Sequence, residues 1–149
     1  MSIYKNSMGS KQFIEPLSSL TLSGSAQLLK NINLVTFGQL KKALIVIANA
    51  DLSGAAVVTW YGSDATSGGN LTAIAAITIA IANPTTGVLQ IDGEDISEAA
   101  EVAGLLPTGF LSLQCKVTGT NTDTLDACVV VEPLHERVGL TPSSVTALT

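Results

Sequence analysis

Apolar and polar residues alternate with a period of two along much of the 149-residue chain. That is the repeat of a β-strand with one buried face. The clearest case runs from Leu111 to Thr118, where Leu111, Leu113, Cys115 and Val117 interleave with Ser112, Gln114, Lys116 and Thr118. Weaker alternation over Leu20, Leu22, Ala26 and Leu28, interrupted by a turn or bulge at Gly24–Ser25, predicts another strand. Asn31 to Gly38 and Ala55 to Tyr61 read as strands as well, and Phe13–Ile14 as a short first one. Ala43 to Ala50 is apolar on both faces, which predicts a central strand covered on both sides or packed on a neighbouring subunit. Leu71 to Ala82 is rich in alanine, a helix former. Its alternating Ile77, Ile79 and Ile81 favour strand at least over the second half.

Turn-forming residues punctuate these runs at 51–54, 62–70, 83–87 and 119–123. The last of these, Gly-Thr-Asn-Thr-Asp, predicts a hairpin returning through Ala127 to Val131, and Val88 to Ile91 makes a short strand before Asp92-Gly93. One helix is predicted near residues 96–103, with Asp95 capping it, Glu98 completing a capping box and Gly104 stopping it. The sum is an all-β fold, a β-sandwich or jelly-roll of about seven or eight antiparallel strands with one short helix. The division is an N-terminal arm (1–18), a sandwich domain (19–133) and a polar C-terminal tail (134–149).

Composition sharpens this picture. Apolar residues make up 46% of the chain and charged residues 13%, against about 25% charged in a typical soluble domain. The surface must therefore be covered by Ser, Thr, Asn, Gly and Ala, which suits a subunit packed against neighbours. Net charge is −5, and the seven basic residues are scattered, with only Lys41 and Lys42 adjacent. The clustered Lys and Arg that bind phosphates are missing, so no nucleic-acid partner is expected. No apolar run approaches the roughly 20 residues of a membrane span. The N-terminus lacks a run of signal-peptide length, so synthesis in a cytoplasm without general secretion is expected.

Candidate chemistry is sparse. The single histidine, His135, has Glu132 and Glu136 nearby but follows Pro133 at a strand end, and no Gly-x-Ser-x-Gly accompanies it. Two cysteines and one histidine do not furnish the usual four zinc ligands. Asp92, Glu94, Asp95, Glu98 and Glu101 form the densest acidic cluster, but without the spacing of an EF-hand they read better as a turn and a helix cap. Residues 62–69 lack the Gly-Lys-Ser/Thr ending of a phosphate loop. No enzyme activity, metal or cofactor is therefore expected. Trp60 and Tyr61 point to opposite faces of their strand, so one is core and the other exposed. An exposed aromatic beside the 62–70 loop is able to anchor a sugar or a protein. Cys115 and Cys128 lie symmetrically about the 119–123 loop, opposite each other in the predicted hairpin, and two free thiols are favoured over a disulfide in a protein made in a cytoplasm.

The chain resembles small proteins of tailed-phage particles, above all head decoration (cement) proteins. The resemblance is carried by the polar N-terminal arm, the Ala- and Thr-rich strand Ala73 to Ile81, the stretch Leu113 to Thr120, and the C-terminal tail. It implies a β-sandwich or jelly-roll subunit of a virion, assembled in the host cytoplasm and often trimeric, that binds the major capsid protein or other virion subunits. Arm and tail would lie across neighbouring subunits, with Tyr4, Phe13, Tyr61 and Leu140 as contact residues. The rival reading is a carbohydrate- or receptor-binding sandwich built around Trp60, Tyr61 and residues 62–70.

Overall fold

The computed structural model describes residues 13–14, 18–79, 87–134 and 145–147. Ten strands and two helical segments follow one another in these residues. They are β1 (Phe13–Ile14), β2 (Ser18–Thr21), β3 (Gln27–Asn33), α1 (Leu34–Phe37), β4 (Leu40–Asp51), β5 (Ala56–Ser63), β6 (Leu71–Ile79), β7 (Gly87–Asp92), α2 (Gly93–Val102), β8 (Ser112–Thr118), β9 (Thr124–Pro133) and β10 (Val145–Ala147).

One sheet has the order β1-β9-β4-β7, with β2 also paired to β9, and the other has the order β10-β3-β8-β5-β6. Every pairing is antiparallel. The strands β2 to β9 thus pair as β5–β6, β4–β7, β3–β8 and β2–β9, nested outward from one hairpin. That is the topology of an eight-stranded jelly roll: a long two-stranded ribbon folded over into two sheets. Its core is the space between the sheets, filled by Ile45, Ile47, Val129 and Val131 from one side and Val58, Trp60, Leu113 and Val117 from the other. Each of these sits at every second position of its strand, the period of two that the sequence carries.

The roll corrects two expectations. Residues 119–123 do not form a hairpin, because β8 and β9 belong to different sheets and the segment crosses between them. Cys115 therefore lies beside Trp60, while Cys128 lies beside Val46. Both thiols are free, as favoured from sequence, but the two cysteines are not cross-strand partners. Local symmetry about a turn cannot distinguish a hairpin from a crossover, since both need the same turn residues.

Two local corrections concern helices. Asn31 to Gly38 is a strand only as far as Asn33. Leu34–Phe37 then makes a single helical turn, capped by the Asn33 side chain, which accepts from the amides of Val35 and Thr36. The longer helix begins three residues ahead of the expected start. Asp92 is the cap, its carboxylate accepting from the Asp95 amide at 2.9 Å, and the Asp95 side chain accepts from the Asp92 amide at 2.9 Å. Asp95 therefore completes a capping box that Asp92 opens. The stop is where the sequence has it. Gly104 adopts φ of 74°, its amide donates to Glu101, and the Leu105 amide donates to Ala100, each at 2.9 Å. This paired arrangement satisfies the last carbonyls of the helix. The acids of residues 92–95 thus serve as cap and first turn.

Leu71–Ile79 is strand throughout. β4 is central, between β9 and β7. Ala43, Ile45 and Ile47 are buried in the core, and Leu44 and Val46 on the other face are only half-buried.

Candidate functional site: an apolar groove at one end of the roll

The two ends of the roll differ. At one end the connections β2–β3, β4–β5 and β8–β9 are laced together. The Asp123 carboxylate accepts from the Ser53 hydroxyl at 2.7 Å, the Ser53 amide at 2.9 Å and the Gly54 amide at 3.3 Å. The Ser53 hydroxyl is the main cause that holds this carboxyl below the usual carboxylate range, with the two amides assisting and burial opposing. The Gly24 amide donates to the Asn121 side chain at 2.9 Å, and Leu22 and Asp123 are joined through their backbones at 2.7 Å.

The opposite end is built differently among the described residues. There α1, α2 and residues 105–111 surround an apolar groove of about 640 Å³. Its floor comes from Leu40, Ala100 and Phe110, all buried. Its rim carries Val35 (59% exposed), Leu106 (49%) and Leu134 (44%). These are three of the six large apolar side chains exposed among the described residues. Lys41 is the one charged residue in the described lining. The groove takes its shape from backbone geometry. Gly62 is pressed against the Phe110 ring, which any Cβ there would overlap. A Cβ at Gly93 would stand 2.7 Å from the Leu40 carbonyl oxygen, so α2 starts in direct contact with β4. Contiguous apolar rims of this kind mark sites of protein contact or ligand binding.

The residues singled out from sequence are dispersed. Trp60 is fully buried, and its Nε1 donates to the Leu89 carbonyl at 3.1 Å, bridging the two sheets. It is the core member of the Trp60–Tyr61 pair. Tyr61 is half-buried on the outer face of its sheet, between Ala73 and Gln114. The Lys116 ammonium lies 5.9 Å from its ring centroid, at the outer limit of a cation–π contact. Phe13 is in β1, opposite Val131. Tyr4, His135 and Leu140 lie outside the described residues.

The loop after β5 is tied down along its length. The Ser63 hydroxyl accepts from the amides of Ala65 and Gly69, Asp64 accepts from the Asn70 amide and side chain, and the Ser112 hydroxyl donates to the Ala65 carbonyl. The loop lies over the outer face of the sheet, with Gly68 against the amide of the buried Gln114 and the Thr66 carbonyl accepting from Asn31 at 3.1 Å. The groove at the end of the roll was not anticipated from sequence. Its walls come from four stretches, 34–41, 93–100, 106–111 and 134, none of which has a binding motif in the sequence.

No protein-family model matches the sequence, and no characterised protein matches it by sequence. Solved structures share the fold. The chain is similar to a subunit of the Bacillus endospore appendages, described as disulfide-linked pili, with 14% identity over 85% of this chain and 90% of that one and a TM-score of 0.51. It is similar to the PBSX exported protein XepA, with 11% identity over 93% of this chain and a TM-score of 0.50. The match spans 42% of XepA, so this chain corresponds to less than half of that protein. At these identities the likeness establishes a common two-sheet, antiparallel β-sandwich.

Proposed function

We propose that the protein is a non-catalytic structural subunit of a virion, in its specific form a phage head decoration subunit that binds the major capsid protein and associates with copies of itself, as a trimer. The observation that carries this reading is the apolar groove with its exposed rim, on a chain in which only 13% of residues are charged. The reading is supported by the jelly-roll topology, an architecture found in viral capsid domains, and by the likeness to a pilus subunit, a protein that polymerises.

Magnitudes decide how such a subunit would hold on. Burying one large apolar side chain contributes about 1.5–3 kcal/mol, so Val35, Leu106 and Leu134 together contribute less than about 9 kcal/mol. Association costs about 4–15 kcal/mol before any net affinity appears. The rim alone leaves little surplus, and the reading therefore assigns further contact to residues 1–18 and 134–149. Deleting both segments should abolish binding to undecorated phage heads in a co-sedimentation assay while the melting transition of the roll persists. Unchanged binding of the truncated chain would refute the assignment. A role elsewhere in the particle, at the head–tail junction or in the tail, would appear as binding to tail structures instead of heads.

Burial of Trp60 weighs against the sugar-binding alternative. Among the described residues no second exposed aromatic ring lies beside Tyr61, whose neighbour on that face is Lys116. A blank glycan array, or unchanged glycan binding in Tyr61→Ala, would remove that alternative.

A further inference from the structure

The helix α2 has two faces of different chemistry. Gly93, Ile96, Ser97 and Ala100 line the apolar groove. Asp95, Glu98, Ala99 and Val102 lie on another side of it, beside Thr72 and Ala73 of β6. The two sets have the same spacing and are offset by two residues, which at about 100° per residue turns one about 200° from the other. One face of the helix therefore closes the groove and the opposite face looks outward.

The outward face carries what the groove lacks. Val102 is 87% exposed, the most exposed large apolar side chain among the described residues. Valine is a weaker helix former than alanine, so the helix itself does not account for its place in the last turn. Asp95 and Glu98 on the same face are exposed acids, and α2 has no basic residue. The Asp95 carboxylate is committed to the Asp92 amide, which leaves Glu98, one turn before Val102, as the acid that reaches outward. The groove has the opposite character, an apolar floor and rim with Lys41 as the one charged residue in its described lining. Glu132 is shared between Lys42 at 3.4 Å and Lys41 at 3.8 Å, and the Lys41 side chain is 59% exposed, within reach of a second carboxylate. An apolar knob beside an acid thus matches an apolar groove beside a lysine. Residues 1–12, whose charges are Lys5 and Lys11, would instead set like charge against Lys41.

We propose that the groove of one chain receives the outward face of α2 from a second copy, with Val102 against the Val35, Leu106 and Leu134 rim and Glu98 facing Lys41. The inference rests on the reading of the groove as an assembly surface and names its occupant. The surface given and the surface received differ, so the contact is head-to-tail. Repeated around a rotation axis it closes a ring, and the trimer is one such ring.

Full-length variants that each lose one surface test this by light scattering. Val35→Asp spoils the groove and keeps the knob, while Val102→Asp spoils the knob and keeps the groove. Both positions are exposed, and the melting temperature of each variant checks its folding. Each alone should run as single chains. Mixed in equal amounts at high concentration, they should form a one-to-one pair and stop there, because only one intact groove and one intact knob remain to meet. Val102→Asp that assembles like the parent would overturn the proposal and give the groove to another occupant, such as residues 1–12 or 135–144. A mixture that stays as single chains would overturn it as well. Charge reversal supplies a second readout. Lys41→Glu and Glu98→Lys should each weaken assembly by about tenfold, and the two together in one chain should restore it. A double variant no stronger than the singles would overturn the pairing. Binding to phage heads is scored separately. A ring that ignores heads upholds this contact while sinking the decoration role, and a parent chain that binds heads without assembling does the reverse.

Discussion

Two side chains illustrate how environment sets residue behaviour here. Burial pushes the Cys115 thiol far above its ordinary pKa, which removes the thiolate that reacts. Cys128, on the outer face of its sheet beside Val46, is half-buried. A disulfide-exchange reagent at neutral pH should therefore titrate one thiol in the folded protein, Cys128, and two after denaturation. Equal labelling of both in the folded state would contradict the placement of Cys115 in the core. Asp123 carries the second expectation. Its pKa is lowered on folding, so the folded state binds its proton less readily than the unfolded chain. The resulting stabilisation is complete above the unfolded value of about 3.9 and is lost as pH falls through the lower folded value. Asp123→Asn should lower the melting temperature at pH 7, and the gap between variant and parent should narrow toward pH 2. A gap independent of pH would show that the carboxylate charge does not contribute. That Cys115 would be core was legible in the alternation of its strand. The partners of Asp123 were not, since Ser53 is 70 residues away and nothing local marks the pair.

At the level of elements, α2 shows both what sequence reveals and where it slips. A helix stop at Gly104 was legible because a left-handed residue is needed there and glycine adopts it without penalty. The start was displaced because Asp92 and Asp95 both precede a suitable acid by three residues, and only the backbone decides which of them caps. Asp92→Ala should cost about 1 kcal/mol, a fall of about 3–4 °C in melting temperature for a chain of this size. If Asp95→Ala cost as much and Asp92→Ala nothing, the cap would lie at Asp95 after all. The strands were legible one by one, even alanine-rich β6, because β-branched residues at alternate positions outweigh alanine's preference for helix once a sheet is available to pack on. α1 was missed because four residues carry no periodicity, and the Asn33 cap that creates it looks from sequence like one more polar position in a strand.

The whole molecule is set by pairings that span the chain, such as Leu20 with Leu125 and Gln27 with Val117. A pattern of alternation states which face of each strand is buried but not which strand lies beside it. The sequence therefore yielded the sandwich class, with jelly roll among its forms, while the nested order had to come from the structure. The same limit hid the groove, since its walls meet only when the two sheets close. The account rests on the claim that this roll works as one subunit among several, joined through its groove end. The solution mass of the purified full-length chain by light scattering, measured across a range of concentrations, tests that claim most directly. The account predicts a stable species of three or more chains of 15.3 kDa each, reduced to single chains by Val35→Asp. A particle of 15.3 kDa at every concentration, with its rim side chains intact, would contradict it.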